Sequence, residues 1–127
     1  MDNGRSAAVQ IGGRAYGLLL TTRATKEIAG RYGGLEDLGD KLMRSENFEQ
    51  AIGEVVWLIT LLANQGILVH NLREPDDPQP LLTEEMVELL TTPFDLAGYK
   101  DAIMSALLKG SKREIVSEDD GKNAQDG

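Results

Sequence analysis

The segment from Phe48 to Asn71 constrains the fold more than any other part of the chain, because it is apolar on nearly every side of a helix. Phe48, Ile52, Val55, Val56, Ile59, Leu62 and Ala63 form one stripe at helical spacing, while Trp57, Leu58 and Leu61 make the opposite side apolar too. A helix of this kind is the centre of a domain and has to be covered by the rest of the chain. Its start is marked at Asn47-Phe48-Glu49-Gln50, which has the form of a capping box: the Asn47 side chain meets the third-position N–H and Gln50 reaches back. Gly66 is a weak point, yet Ile67, Leu68, Val69 and Leu72 continue the pattern, so one helix is expected to about Asn71. The longest apolar run, Val55 to Ala63, is broken by Thr60 and flanked by Glu54 and Asn64, short of the ~20 residues that span a bilayer. The residues after Met1 do not make the apolar core of a secretion signal. The expectation is a soluble, cytoplasmic protein with no membrane segment.

The covering elements can be read in order. Val9-Gln10-Ile11 and Arg14 to Leu20 flank Gly12-Gly13, a pair that reaches the positive φ of a two-residue hairpin loop without steric strain. Leu18-Leu19-Leu20 is apolar on both faces, so the second strand is expected to lie under helices. Thr21 or Thr22 caps a first helix that carries Ala24, Ile28 and Tyr32 and ends at Gly33-Gly34. Leu35, Leu38 and Leu42 mark a short second helix, ahead of the long third one. Glu74 to Pro80 holds three of the four prolines and is an exposed connector. Thr83 caps a further helix, with Glu84 and Glu85 at its positive end and Met86, Leu89 and Leu90 expected to face inward. Thr92-Pro93 opens the last helix, whose Phe94, Leu96, Tyr99, Ile103 and Leu107 lie near one face and whose end is expected at Gly110. The sum is a mainly α fold: a single small helical domain over residues 1–110 with an N-terminal β-hairpin at about 9–20, and a flexible acidic tail over 111–127. Aromatic residues are only 5% of the chain, so aliphatic side chains carry the packing, which suits helices better than sheets.

Residue types limit the chemistry. There is no Cys, which removes disulfides, thiolate metal sites and cysteine nucleophiles together. His70 is the single histidine, with no second imidazole to complete a metal pair. Asp76 and Asp77 are adjacent carboxylates in a proline-rich loop, where nothing sets their pKa values apart as acid–base work requires. Ser117 to Gly121 lacks the spacing of a calcium loop, and Gly12-Gly13 and Gly33-Gly34 lack the spacing of phosphate loops. No catalytic residue, metal site or cofactor is therefore expected. The net charge of −8 is uneven: residues 1–34 hold five basic and two acidic side chains, while Glu74 to Tyr99 holds seven acidic ones and no Lys or Arg. That balance argues against nucleic acid, whose binding rests on cations displacing counterions, and favours a partner with basic segments. Arg14, Arg23, Lys26 and Arg31 present a basic face either to an acidic partner or to this chain's own Glu84-Glu85-Glu88 helix.

The order Ile11-Gly12-Gly13-Arg14-Ala15-Tyr16, then Leu20 to Thr25 leading into a helix that ends Arg31-Tyr32-Gly33-Gly34-Leu35, then a buried helix, then Leu82 to Leu90, resembles the tail assembly chaperones of long-tailed bacteriophages and related prophages. The resemblance covers about residues 9–110 and rests on patterning and short motifs. It implies a protein of the bacterial host cytoplasm, absent from the finished particle, that binds the tape measure protein and helps recruit tail tube subunits. It implies no cofactor and no reaction. In many such proteins a longer form arises by frameshifting near the end of the first reading frame, and Gly121-Lys122-Asn123 is where this chain would be examined for it. A small structural virion component, a tail completion or connector protein, is the alternative. A long helical partner would need its apolar stripes covered, and a helical groove does that. Trp57, Leu61, Leu68, Met86, Leu90 and Met104 are the candidate groove residues, because Met and Trp suit adaptable apolar contacts; packing of the domain's own core is the other use they could have. The apolar helices also permit self-association.

Overall fold

A computed structural model describes residues 7–34, Leu38 and 48–112, with side chains through Gly110. Strand β1 (Ala7–Ile11) turns through Gly12 and Gly13 into β2 (Arg14–Leu18), pairing antiparallel with Ile11 opposite Arg14 and Ala7 opposite Leu18. Both turn glycines have positive φ, 63° and 83°, the conformation that lets a two-residue loop follow the strand twist. Val9, Ile11 and Leu18 are buried. Helix α1 (Thr22–Tyr32) begins where the Thr21 side chain accepts the Ala24 N–H and ends at a left-handed Gly33, burying Ala24, Ile28 and Tyr32 one turn apart.

Helix α2 (Phe48–Arg73) runs unbroken through Gly66. It is long and apolar enough to cross a membrane by length and composition, and here it forms the middle of the core, burying Val55, Val56, Leu58, Ile59, Leu62 and Ala63. Gly66 has a packing reason: a Cβ there would stand 3.3 Å from the Gly17 carbonyl oxygen, tight enough that β2 would have to shift by a few tenths of an ångström. Next to this contact the Leu19 N–H donates to the Leu62 carbonyl at 3.2 Å. Two polar side chains inside α2 are satisfied, Thr60 by donating to the Val56 carbonyl and Gln65 by donating to the Leu61 carbonyl and accepting from the Thr21 hydroxyl at the start of α1.

The proline-rich connector is exposed as expected, but it does not hang free. Asn71 pairs with Gln79 by two bonds, donating to its carbonyl at 3.0 Å and accepting from its N–H at 2.8 Å. Asn64 does the same for Leu82, with both bonds at 2.8 Å. Two asparagines seven residues apart on α2 thus strap the returning chain along the helix that it has just left.

Beyond the strap come α3 (Glu84–Leu90), capped by the Thr83 side chain on the Met86 N–H, and α4 (Pro93–Lys112). Thr92 and Asp95 cap α4 reciprocally, the Asp95 carboxylate accepting the Thr92 N–H at 2.9 Å and the Thr92 hydroxyl facing the Asp95 N–H at 3.4 Å. Leu96, Tyr99, Ile103, Ala106 and Leu107 are buried along α4, and the Tyr99 hydroxyl donates to the Gln10 carbonyl on β1. The result is the expected mainly helical domain: among the described residues, four helices and one hairpin, with β2, α1, α3 and α4 all packed on α2.

Several inward assignments are corrected. Met86, Leu89 and Leu90 do not enter the core; α3 buries Val87, and the residue ahead of its cap, Leu82, is buried as well. Because Asn64 fixes Leu82, a two-turn helix starting two residues later has room to turn only one position fully inward. Phe94 and Phe48 are exposed rather than part of their apolar rows, since each sits in the first turn of its helix, outside the stretch that packs. Gly110 is not the end of α4, which continues to Lys112; it is a contact point, where a Cβ would meet Leu20 Cβ at 2.6 Å. The capping box at Asn47, the short helix around Leu35 and Leu42, and the tail over 113–127 lie outside the described residues.

Candidate functional site

One feature that can receive a ligand is a groove enclosing about 470 Å³. Its floor is the Ala63-to-His70 face of α2, one wall is β2 from Arg14 to Leu18, and the other is the strapped connector at Gln79, Pro80 and Leu82, with Met86 of α3 at the rim. It exists because Gly66 draws β2 against one side of α2 while Asn64 and Asn71 hold the connector against another. The interior is mainly apolar, and Arg14, His70 and Gln79 supply the polar groups. Arg14 donates to the Gln79 side chain at 3.4 Å and lies over the Tyr16 ring, 5.6 Å from its centroid.

His70 is held by the connector, its Nε2 lying 2.9 Å from the Asp77 carbonyl oxygen and 3.6 Å from the Asp77 carboxylate. The groove does not gather carboxylates around this imidazole, and among the described residues no group of three or more His, Asp or Glu has the geometry to hold a metal ion.

The six candidate partner-binding residues do not converge. Met86 alone lines the groove. Leu90 lies against the hairpin tip, where a Cβ on Gly12 would come within 3.2 Å of it. On α2, at about 100° per residue, Trp57, Leu61 and Leu68 fall within about 40° of one another and roughly 150° from the groove floor. Trp57, Leu61 and Met104 pack against the edge of the core, and Leu68 is half-buried. Helical spacing identifies a shared face but not what lies over it, and for three of the six the core-packing use is the one observed.

Trp57 belongs to a separate cluster with α1. The Arg31 guanidinium lies 4.4 Å from the Trp57 ring centroid and its Nε is 3.3 Å from the Glu54 carboxylate. The Tyr32 ring meets Trp57 edge to face at 6.1 Å, and its hydroxyl donates to Glu54. Burial, reinforced by the Glu54 hydrogen bond, pushes the Tyr32 phenol well above its usual range, and burial with the nearby Asp95 charge also raises the Tyr99 phenol. An open depression of about 600 Å³ lies beside this cluster, rimmed by Arg23, Lys26, Glu27, Gly30, Arg31 and Trp57. Among the described residues, Arg31 goes to Glu54 and Arg14 to Gln79 rather than to the acidic helix, and Glu84, Glu85 and Glu88 are exposed.

Sequence reasoning missed the groove because its walls come from β2, α2 and the connector. The usable signals were Gly66 and the paired Asn64 and Asn71. It also missed the outward surface of Leu89 and Phe94, 76% and 86% exposed. The chain matches no protein-family model, no curated protein and no solved structure.

Proposed function

We propose that the chain is a non-enzymatic binding protein that acts as a phage or prophage tail assembly chaperone in the bacterial cytoplasm, binding the tape measure protein and helping to recruit tail tube subunits. The observation that carries the binding reading is the groove: an apolar floor on α2, two fixed walls and a flexible methionine at the rim, a form suited to receiving apolar side chains of another polypeptide. The mechanism follows from that form. A long helical partner exposes apolar stripes before it is enclosed, and side chains from such a stripe, seated against Ala63, Ile67 and Met86, are removed from water and from other copies of the partner. Arg14 and His70 at the groove offer polar contacts to the partner's flanking groups.

The partner's identity rests on the resemblance in element order and motifs. Co-expression with the longest gene product of the same operon tests it. Wild type keeps that product soluble and co-purifies with it, whereas Met86→Asp, which places a charge at the groove rim, loses the complex while remaining folded. An insoluble product with no co-purification counts against the reading. Mass spectrometry of purified particles separates it from the alternative of a structural virion component: a chaperone is absent, and stoichiometric presence sinks the chaperone reading.

A further inference from the structure

Helix α1 presents Arg23, Lys26, Glu27, Gly30 and Arg31 along one side, at the three- and four-residue spacing of a single helical face, and with Trp57 of α2 they rim the open depression. Arg31 is engaged by Glu54 and lies over Trp57, but Arg23 and Lys26 are exposed and have no hydrogen-bond or ion-pair partner among the described residues. Glu27 is the one acid on the rim, so this surface is basic on a chain whose net charge is −8. Such a surface attracts an acidic segment. The fold brings one beside it. Gly110 of α4 packs against Leu20, where a Cβ would lie 2.6 Å from the Leu20 Cβ, and Leu20 stands two residues ahead of α1. Helix α4 ends two residues beyond this contact, at Lys112. Within the next eight residues comes Glu118-Asp119-Asp120, the only three consecutive acids in the chain. Eight residues reach up to roughly 27 Å when extended, whereas α1 is only about 15 Å long at 1.5 Å per residue.

We propose that the α1 depression is a docking surface for an acidic segment, and that its occupant is this chain's own Glu118-Asp119-Asp120 run, placed against Arg23 and Lys26 of the same molecule. Charge complementarity selects the segment, and the Gly110–Leu20 contact, which roots it beside α1, selects the depression. Tethering sets the occupancy. A segment on so short a linker meets its site at an effective concentration on the order of 1 mM, so even a contact with a Kd of about 1 mM is filled about half the time. An acidic segment of another protein then binds at this face only by displacing the tethered one. The contact is separate from the groove on α2 and does not depend on what the groove receives.

The absence of Cys and the presence of a single tryptophan supply the test. Bimane, a fluorophore quenched on contact with tryptophan, is attached to the full chain at Ser117→Cys, next to the acidic run. The label is quenched by Trp57, dilution leaves the quenching unchanged because the contact lies within one molecule, and Trp57→Phe removes it. Arg23→Glu/Lys26→Glu, and separately Glu118→Lys/Asp119→Lys/Asp120→Lys, bring like charges together and weaken docking on the order of tenfold, so the quenched fraction falls from about half to about a tenth. Combining the two sets exchanges both signs and restores the quenching. Circular dichroism checks that each variant keeps its helices. Chance collisions of a tethered label give quenching that neither reversal reduces, and contact between copies gives quenching that rises with concentration. Either result, an unquenched label in the otherwise wild-type chain, or a combined variant that folds but fails to recover, overturns the proposal.

Discussion

Replacing Asn64 with alanine removes both hydrogen bonds that hold the connector to α2 at Leu82, each 2.8 Å long. A hydrogen bond contributes about 1 kcal/mol net, but leaving a buried backbone group without a partner costs about 1–3 kcal/mol in lost hydration. Leu82 is only 4% exposed, so water reaches its N–H and carbonyl poorly once the amide is gone. The expected loss is therefore about 3 kcal/mol, and for a domain of this size the midpoint of thermal unfolding falls on the order of 10 °C. Asn71→Ala is the internal control. It removes the same pair of bonds from Gln79, which is half-buried, so water replaces them and the loss is about 1 kcal/mol or less. Asn64→Asp separates the two bonds: the carboxylate still accepts the Leu82 N–H but faces the Leu82 carbonyl with a second oxygen, so it is no better than alanine at neutral pH. Urea unfolding with far-ultraviolet circular dichroism measures all three. If Asn64→Ala lies within about 0.5 kcal/mol of wild type, or if Asn71→Ala costs as much, then burial is not what gives the strap its strength and the argument fails.

Other consequences are simpler to state. Gly110→Ala should cost about 1–3 kcal/mol by chemical unfolding despite the better helix propensity of alanine, because the new methyl meets Leu20 Cβ at 2.6 Å. Gly13→Ala isolates backbone strain, since φ is +83° and no atom lies near the new Cβ; a loss of about 1 kcal/mol is expected by the same method. The Tyr32 and Tyr99 phenols are raised in the folded state, so it holds their protons more tightly than the unfolded state. Their contribution is fully present below the ordinary tyrosine pKa of about 10 and is lost as pH rises through the folded-state values. Stability measured against pH should therefore fall above about pH 10, and less steeply in Tyr32→Phe.

What the sequence made legible was local. Gly12-Gly13, the Thr21 and Thr83 caps, the Thr92-Pro93 start and the apolar wrap of α2 each depend on residues a few positions apart, and each is found where the pattern places it. The facing of α3 was not legible, because seven residues hold too few turns for periodicity to choose among Met86, Val87, Leu89 and Leu90, and the choice is made by Asn64 on another helix. Helix propensity makes Gly66 a weak point in a continuous helix and Gly110 a helix end, yet both are sites where something comes close to where a side chain would be, β2 in one case and Leu20 in the other. The candidate residues failed to gather for a related reason. Spacing placed Trp57, Leu61 and Leu68 correctly on one side of α2, but it carried no information about α1 covering Trp57 or β2 and the connector framing the other side.

The hairpin has a consequence for how this chain behaves when concentrated. A two-stranded sheet ordinarily presents two open rims, each a template for further strands. Here β1 gives the Gln10 carbonyl to Tyr99 of α4, and on the far side Gly17 lies against Gly66 while the Leu19 N–H is taken by Leu62 of α2. Each rim is thus interrupted, at Gln10 on one side and at Gly17 to Leu19 on the other, which shortens the template that strand addition, the route from soluble protein to fibre, would need.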